Sequence, residues 1–517
     1  MTDPERLRGL SLIVLLALFL PMSGKAAQEP PDLQLFFQTT SSDEKEAEAA
    51  LEAIAENWQD GYTPLLIDIA RFLPSPRRRT TASNNPYADR DPSPGSDPDA
   101  EVLGTFPTGG SSPSRPPPLS PRAKARARIT KFLEQQTGEK FGDDLSKWRK
   151  WMWNRPYETH PDYALFKSVL YGEIDQRMVE FFPPDGKSLI RLDEIDWGGV
   201  PVNGIPPLDH PQHVAATDAD YLDDDHIVFG IALNGEVRAY PKRILAWHEM
   251  ARDRIGGVEL AIVYCTLCGT VIPYGAEVGG EHRTLGTSGL LYRSNKLMFD
   301  EESKSLWSTV EGRPVVGPLA GEDLELRIYP VVTTEWKEWR LLHPDTTVLS
   351  IDTGHERDYS EGEAYKDYFR NDRLMFGVPK QDKRLKNKDE VFAVLLRPKG
   401  EGPDAERKAL ALSAKYLKKH RLHQMTFAGH NLVILTSKKG ANRVYDAAGH
   451  RFDRQTKEGD VIDAKGGRWQ LTEDALVSSD ATLDPLPRIA ARRAFWFGWH
   501  AQFPDTMLRS LGKAVEH

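Results

Sequence analysis

Cysteine is scarce in this chain, with two among 517 residues, which excludes a fold held by a framework of disulfides. Apolar runs are scarce too, and a mean hydropathy of -0.51 excludes a membrane protein with many spans. Positive charge is not in excess, because 67 Lys and Arg face 76 Asp and Glu, so we expect no nucleic-acid partner. With 39% apolar residues, the chain still has ample material for a buried core in several domains.

The N-terminus resembles an export signal. Arg6 and Arg8 precede an apolar run over residues 10–22, and small residues follow it up to Ala27. This pattern predicts a signal peptide over residues 1–26, or an N-terminal membrane anchor if the run is retained. The mature protein is then expected outside the cytosol, in the periplasm, the exterior or a secretory lumen, where conditions are oxidising.

Two helical segments flank a proline-rich stretch. Apolar residues recur at three- and four-residue steps, which predicts a helical segment over 27–73 and a helical domain over 122–185. Residues 74–121 contain twelve prolines in forty-eight positions and predict an extended, disordered linker.

From residue 186 to 517 the pattern favours β-structure. Asn234-Gly235 separates two alternating runs and predicts a hairpin, and a short helix follows from Pro241. The near-continuous apolar run 258–264 predicts a central strand. Charged residues at 406–419 predict a helix inside an insertion over 398–424, and no internal repeat is evident. The predicted fold class is α+β, with a large, mainly antiparallel β-rich domain preceded by a small helical domain.

Both cysteines lie in one motif, Tyr264-Cys-Thr-Leu-Cys-Gly-Thr270. A structural disulfide here would close a very short loop and stabilise the fold weakly. A redox dithiol usually has its first cysteine at a helix N-terminus, whereas Gly269 and the residues after it predict a turn between strands. A third hypothesis is half of a metal site, and all three stay open on the sequence alone.

A metal site would need more ligands than Cys265 and Cys268, because a closed tetrahedral zinc site has four. His248 lies on the preceding predicted helix and is the first candidate, followed by His282 and Glu249. The sequence therefore predicts a site for a transition-metal ion such as zinc, formed by the two sulfurs and His248.

Two further segments contain polar residues of a kind found at binding or catalytic sites. Arg357 and Asp358 lie in a predicted loop, where the guanidinium would bind an anionic ligand bidentately or form an internal salt bridge. Ser288 fails the spacing of a nucleophile elbow, because Leu290 occupies the second glycine position. The sequence identifies no catalytic residue.

Several ordered blocks resemble the DUF3179 family over roughly residues 190–510. They include the segments 234–241, 247–249, 264–270, 288–294, 305–307, 343–344, 353–354, 357–359 and 495–506. The function of that family is unknown, so the resemblance implies a domain and no reaction. The family pattern marks seven positions: His248, Cys265, Cys268, Ser288, Tyr292, Arg357 and Asp358. For Ser288, Tyr292, Arg357 and Asp358 the resemblance implies a role in ligand binding. The family commonly has proline where this chain has Thr266.

Three functions follow as hypotheses. The first is an exported protein with a metal- or ligand-binding site around the Cys-x-x-Cys turn. The second is a thiol–disulfide oxidoreductase, and the third is a non-catalytic extracytoplasmic module whose helical part binds a partner. Whether the protein is an enzyme stays open.

Overall fold

A computed structural model describes residues 30–76 and 119–511. The predicted signal peptide and most of the proline-rich linker lie outside these residues. The N-terminal region is helical, and its six helices are α1 (Leu33–Gln38), α2 (Glu44–Glu56), α3 (Thr63–Arg71), α4 (Pro121–Thr137), α5 (Leu145–Trp153) and α6 (Tyr163–Gly172). Among the described residues, no helix has both the length and the apolar character needed to cross a membrane.

Short strands lead from the helices into the β-rich region: β1 (Lys187–Ser188), β2 (Ile195–Trp197), β3 (Leu208–Asp209) and β4 (His213–Ala215). Asp196 of β2 forms buried ion pairs with Arg149 at 2.5 Å and Arg71 at 2.7 Å, both on the helical region. Burying a charge is costly unless it is paired, so these contacts fix the helices against the sheet.

The β-rich region consists of two successive parts, which we call the first half (residues 227–349) and the second half (residues 390–509). The first half contains β5 (Ile227–Leu233), β6 (Glu236–Pro241), α7 (Lys242–His248), β7 (Met250–Ile255), β8 (Val258–Cys265), β9 (Thr270–Gly275), β10 (Glu277–Val278), β11 (Glu281–His282), β12 (Leu285–Tyr292), β13 (Asn295–Asp300), β14 (Leu306–Ser308), β15 (Pro314–Gly317), β16 (Val332–Glu335), α8 (Trp336–Leu342) and β17 (Thr347–Leu349).

The covering segment, residues 350–389, joins the halves and contains α9 (Lys366–Phe369). The second half contains β18 (Glu390–Leu396), β19 (Lys408–Ser413), α10 (Ala414–Lys419), β20 (Leu422–Phe427), β21 (His430–Thr436), β22 (Asn442–Asp446), β23 (Phe452–Gln455), β24 (Val461–Asp463), β25 (Arg468–Leu471), β26 (Ala475–Ser478), β27 (Leu486–Pro487), β28 (Arg492–Phe495), α11 (Trp496–Gln502) and β29 (Met507–Arg509).

The two halves repeat one arrangement of strands. In the first, four neighbouring strands have the order β16-β5-β6-β17, with β4 added at the edge beyond β17, and in the second the order is β28-β18-β19-β29. In each set of four, the last strand is parallel to its neighbour and the other pairs are antiparallel. A helix and a three-stranded meander follow the hairpin in both: α7 with β7-β8-β9, and α10 with β20-β21-β22. The expectation that this region has no repeat is therefore wrong.

Hydrogen bonds at equivalent positions confirm the correspondence. Trp339 Nε1 donates to Thr346 Oγ1 at 3.0 Å, and Trp499 Nε1 donates to Thr506 Oγ1 at 2.9 Å. The phenol of Tyr274 in β9 donates to the carbonyl of Thr309 at 2.7 Å. The equivalent phenol in β22, that of Tyr445, donates to the carbonyl of Thr472 at the same distance. Because these bonds occur in both halves, we assign them to the framework and not to a site.

Each half contributes to the packing of the other. The turn between β8 and β9 contacts the start of α11, where Phe495 N–H donates to the Cys268 carbonyl at 2.8 Å. The turn between β21 and β22 contacts α8, where Ser437 Oγ donates to Glu338 at 2.8 Å. The halves are therefore interlocked by equivalent contacts.

The fold class is confirmed: a small helical region precedes a large, mainly antiparallel β-rich region. The hairpin at Asn234-Gly235 forms with both turn residues at positive φ, and β8 is a central strand. The prediction of a helix over 406–419 is wrong, because Lys408–Ser413 forms β19 and only Ala414–Lys419 is helical. Residues 410–413 of β19 are all buried, so the strand has no alternation of apolar and polar residues to mark it, and charged residues flank it.

Candidate functional site

The cysteines lie at the turn between two buried strands. β8 ends at Cys265 and β9 begins at Thr270, its register partner, and a disulfide joins Cys265 to Cys268. Gly269 adopts φ +60°, and a Cβ there would come within 2.9 Å of the Phe495 ring. Glycine is thus required by both the turn and the close approach of α11. The sequence prediction of a turn between strands is confirmed.

The disulfide is buried. Each cysteine is 1% exposed, and the pair packs among aromatic side chains of the covering segment and of the second half. Tyr368 holds this cover in place, since its phenol donates to the Leu267 carbonyl inside the turn at 2.7 Å. A thiolate or a partner disulfide reaches the sulfurs only if this cover moves.

His248 is the last residue of α7 and is fully buried. Glu249 follows with φ +55° and turns the chain directly into β7. The imidazole Nδ1 lies 2.9 Å from the Pro206 carbonyl, and Nε2 lies 2.5 Å from the Tyr359 phenol. Burial, with smaller contributions from His355 and Arg357 and against the hydrogen bond to Pro206, lowers the pKa of His248 to about 4, so the ring is neutral near pH 7.

The neutral ring fixes the direction of a short hydrogen-bond chain. A carbonyl only accepts, so Nδ1 carries the proton and donates to Pro206, which leaves a lone pair on Nε2. The Tyr359 phenol then donates to Nε2, and the Thr353 hydroxyl, 2.6 Å away, donates to the phenol. The Nε2 atom of His248 is therefore a hydrogen-bond acceptor that lies beneath the covering segment.

Side chains of α7 also anchor the covering segment by hydrogen bonds to its backbone. Trp247 Nε1 donates to the Asp358 carbonyl at 2.8 Å, and Arg243 Nε donates to the Tyr359 carbonyl. Arg357 itself is exposed, and within the described part of the chain it forms no ion pair. Ser360 lowers the pKa of the exposed Asp358 carboxyl by hydrogen bonding to it. The structure thus brings Arg357 and Asp358 to the surface above His248.

A buried ion pair lies next to this chain. Lys296 Nζ in β13 donates to the Glu249 carbonyl at 2.9 Å and lies 3.4 Å from its carboxylate. Burial lowers the pKa of Lys296, and Tyr365 of the covering segment donates to the same carboxylate at 3.2 Å. The Glu249 carbonyl also accepts the Tyr264 N–H, which connects the pair to the residue before Cys265.

The other predicted site residues lie elsewhere. Ser288 in β12 is buried, and its hydroxyl donates to the Leu297 carbonyl at 2.6 Å and accepts the Leu290 N–H at 3.0 Å. This pairing bridges the register shift between β12 and β13. Tyr292 belongs to a separate apolar cluster, and His282 is exposed on β11. The structure does not show contacts of these three with His248.

Sequence analysis did not assign a site role to Tyr359, Thr353 or Lys296. Tyr359 lies in the family block 357–359, directly after the two residues of that block that were named as site candidates. Lys296 is a cation inside a strand of otherwise buried residues, which is a sequence signal for a paired internal charge. Thr353 lies in the family block 353–354, but a threonine before a glycine is common in loops, so its side chain did not stand out as a site residue.

The described residues contain no group of three or more His, Cys, Asp or Glu side chains placed to hold a metal ion. In this structure the two sulfurs bond to each other, and both ring nitrogens of His248 have partners. The predicted metal site at Cys265, Cys268 and His248 thus gains no support, and it stays a prediction for the reduced protein.

Comparison with known proteins gives one family. A model for a protein family of unknown function, DUF3179, matches residues 202–506, which is more than half of the chain. None of the curated proteins and none of the solved structures matches it.

Proposed function

The chain belongs to the DUF3179 family, whose function is unknown, and we propose that it is an exported protein that binds a small anionic ligand above His248. The observation that carries this proposal is the buried, neutral imidazole whose lone pair faces the Tyr359 phenol under an exposed loop. Buried histidines with strongly lowered pKa values occur preferentially at functional sites.

The comparison between the halves supports this position. The residue equivalent to His248 is His420. His248 is the last residue of α7 and His420 directly follows α10, and each is followed by a residue whose carbonyl accepts an N–H from the central meander strand. His420 is exposed, whereas His248 is buried and hydrogen-bonded at both nitrogens. The fold therefore does not require a buried imidazole here, which favours a role in binding.

Arg357 indicates the charge of the ligand. Its guanidinium is exposed above the hydrogen-bond chain, and within the described residues it has no carboxylate partner. A guanidinium binds carboxylate or phosphate oxygens with two parallel hydrogen bonds. In the proposed complex Arg357 holds the anion above the hydrogen-bond chain of Thr353, Tyr359 and His248, which keeps the loop in place.

Export is proposed from two features. The N-terminal sequence has the charge and apolar pattern of a signal peptide. The disulfide between Cys265 and Cys268 is the form expected in an oxidising compartment. In the proposed function the disulfide braces the turn that supports the site.

Thiol–disulfide exchange is a second candidate, favoured by the Cys-x-x-Cys disulfide itself. It is weaker because both sulfurs are buried beneath Tyr368 and the other aromatic residues. Elemental analysis and alkylation, before and after reduction, would test the metal and redox hypotheses together. Bound metal in the reduced protein would support the metal site, and rapid alkylation without denaturant would support thiol–disulfide exchange.

The anion proposal is tested by thermal unfolding of the mature protein with inorganic phosphate and with acetate. We expect at least one of the two to raise the unfolding midpoint of the wild type and of His420→Gln, the matched control in the second half. Arg357→Gln, an exposed change, should remove the increase. No increase in the wild type, or an equal increase in Arg357→Gln, would refute the proposal.

A further inference from the structure

The surface that the covering segment occupies on the first half has an exposed equivalent on the second half. In the first half, Arg243 and Trp247 of α7 donate to backbone carbonyls of the covering segment. Tyr368 of that segment donates to the Leu267 carbonyl in the turn between β8 and β9. A polypeptide segment therefore lies across both α7 and this turn.

The helices α7 and α10 correspond residue by residue. Pro241 and Ser413 directly precede them, and the carbonyls of Glu249 and Arg421 behind them accept an N–H from the central meander strand. The same number of residues separates these two landmarks in each half, so the helices align without a gap.

Lysine takes the contact positions in α10. Lys415 and Lys419 correspond to the two α7 residues that bind the covering segment. Lys418 corresponds to Ala246, which is buried in the first half, yet Lys418 itself is exposed. Within the described residues, no segment therefore covers α10 as one covers α7.

The turn between β21 and β22, next to α10, is cationic as well. It contains the exposed Lys438 and Lys439, where the first half has the turn with the disulfide. The side chain of Lys418 lies against it, because a Cβ on Gly440 would be 3.3 Å from the Lys418 Cε atom. The helix and the turn thus form one surface, which we call the lysine face: Lys415, Lys418, Lys419, Lys438 and Lys439.

Much of the charge on the lysine face is uncompensated. Two of its five lysines form exposed ion pairs, with Asp389 at 2.7 Å and with Glu335 at 3.0 Å. The other three, Lys418, Lys419 and Lys438, form no ion pair within the part of the chain that the structure describes. A protein with a net charge of -9 thus has a local cationic surface that attracts anionic partners.

The first half indicates the kind of partner. The part of the covering segment next to α7, residues 352–367, is acidic, with six Asp or Glu residues and two Lys or Arg residues. It binds α7 through backbone carbonyls, as an extended polypeptide does. Neither α10 nor the turn, both described by the structure, has an exposed large apolar side chain of the kind that membrane-binding surfaces insert into lipid.

We propose that the lysine face binds an extended acidic segment of a partner protein, in the position that the covering segment occupies on the first half. The lysine side chains donate to the carboxylates and backbone carbonyls of that segment. Such exposed charges contribute little affinity individually, but together they accelerate association and exclude basic partners. The face contains no residue of the proposed anion site, so neither proposal depends on the other.

Fluorescence anisotropy of the full mature protein with a labelled peptide tests the proposal. The peptide has the acidic sequence of residues 352–367, and a neutral counterpart has amides in place of its six side-chain carboxyl groups. We expect saturable binding of the acidic peptide that weakens as salt is added. The neutral peptide should bind more weakly by roughly tenfold or more.

A variant with three substitutions, Lys418→Gln, Lys419→Gln and Lys438→Gln, removes the unpaired charges of the face. It should weaken binding of the acidic peptide by roughly tenfold. All three side chains are exposed, so the change leaves the core packing intact, and thermal unfolding verifies that the variant is folded. The comparison of the two peptides uses the wild type alone and stays decisive if the variant fails to fold.

The matched control makes the same change in net charge at three exposed lysines of the helical region: Lys131→Gln, Lys140→Gln and Lys150→Gln. It should bind the acidic peptide as the wild type does. The absence of saturable binding to the wild type would overturn the proposal. So would equal binding of the two peptides, or equal weakening in the control and in the variant of the lysine face.

Two further measurements separate other occupants of the lysine face. Sedimentation velocity at several concentrations detects self-association, and cosedimentation with phosphatidylglycerol vesicles detects membrane binding. Self-association lost in the variant of the lysine face would assign the face to a second copy of this chain and overturn the proposal. Vesicle binding lost in that variant, without binding of the acidic peptide, would overturn it in favour of an anionic membrane.

Discussion

Replacing His248 by glutamine should flatten the dependence of stability on pH. The folded protein holds the pKa of His248 at about 4, below the ordinary value of 6.5. The unfolded chain therefore binds a proton at this position more tightly than the folded one does. The stability contributed by the neutral ring is complete above pH 6.5 and is lost as pH falls towards 4. Glutamine does not titrate and has no such contribution.

The magnitude follows from the two pKa values. The full gap corresponds to an upper limit of about 3 kcal/mol in the free energy of unfolding, reached below pH 4. Between about pH 7 and about pH 5 the wild type should lose about 2 kcal/mol through this one group. Carboxyl groups elsewhere in the protein also titrate in the acid range, so the informative quantity is the difference between wild type and variant.

Urea unfolding of wild type, His248→Gln and the control His420→Gln at several pH values measures that difference. His420 is the exposed equivalent of His248 in the second half, so His420→Gln is the matched control for the loss of an imidazole. An NMR titration of the His248 ring gives its pKa directly. The reasoning is refuted if wild type and His248→Gln lose the same free energy on acidification, or if the ring titrates near 6.5.

Three further changes test the surroundings of the site. Reducing the disulfide between Cys265 and Cys268 should lower the free energy of unfolding by only about 2 kcal/mol, because the closed loop is very short; a loss above about 4 kcal/mol in urea unfolding would contradict this. Lys296→Met should cost about 3 kcal/mol by leaving the buried Glu249 charge unpaired, and adding Glu249→Gln should restore part of it; no restoration in this double-mutant cycle would argue against the pair. Tyr359→Phe should cost about 1 kcal/mol and shift the Nε2 resonance of His248, and an unchanged resonance would speak against the hydrogen bond.

Local patterns were sufficient to predict the parts of the fold that short-range chemistry determines. Asn234-Gly235 tolerates the positive φ values that its hairpin turn needs, and Gly269 marks the turn that contains the disulfide. The marked positions His248 and Arg357 fall in one neighbourhood because α7 anchors the covering segment. For these residues the sequence signal and the structural cause coincide.

The features of the fold and of the site that the sequence did not predict depend on contacts between residues far apart in the chain. Tyr359 reaches His248 across 111 positions, and no spacing rule predicts such a pair. The sequence did not reveal the repeat because the halves have only a few framework residues in common, such as the tryptophan–threonine pair 339/346. These residues also fall at different spacings in the two halves, because the hairpins differ in length. The strand Lys408–Ser413 was not predicted because it is short, is buried on both faces and so lacks an alternating pattern, and has charged residues on both sides.

The interlocking of the two halves has a consequence for how the chain reaches its folded state. Each half completes its packing only with a surface from the other, through Phe495 against the Cys268 turn and Glu338 against the Ser437 turn. Severing the chain in the covering segment would make folding a second-order reaction, dependent on protein concentration. The intact linkage instead fixes a high effective concentration of one half around the other. With the framework present twice, one copy is free to change its chemistry while the other preserves the architecture.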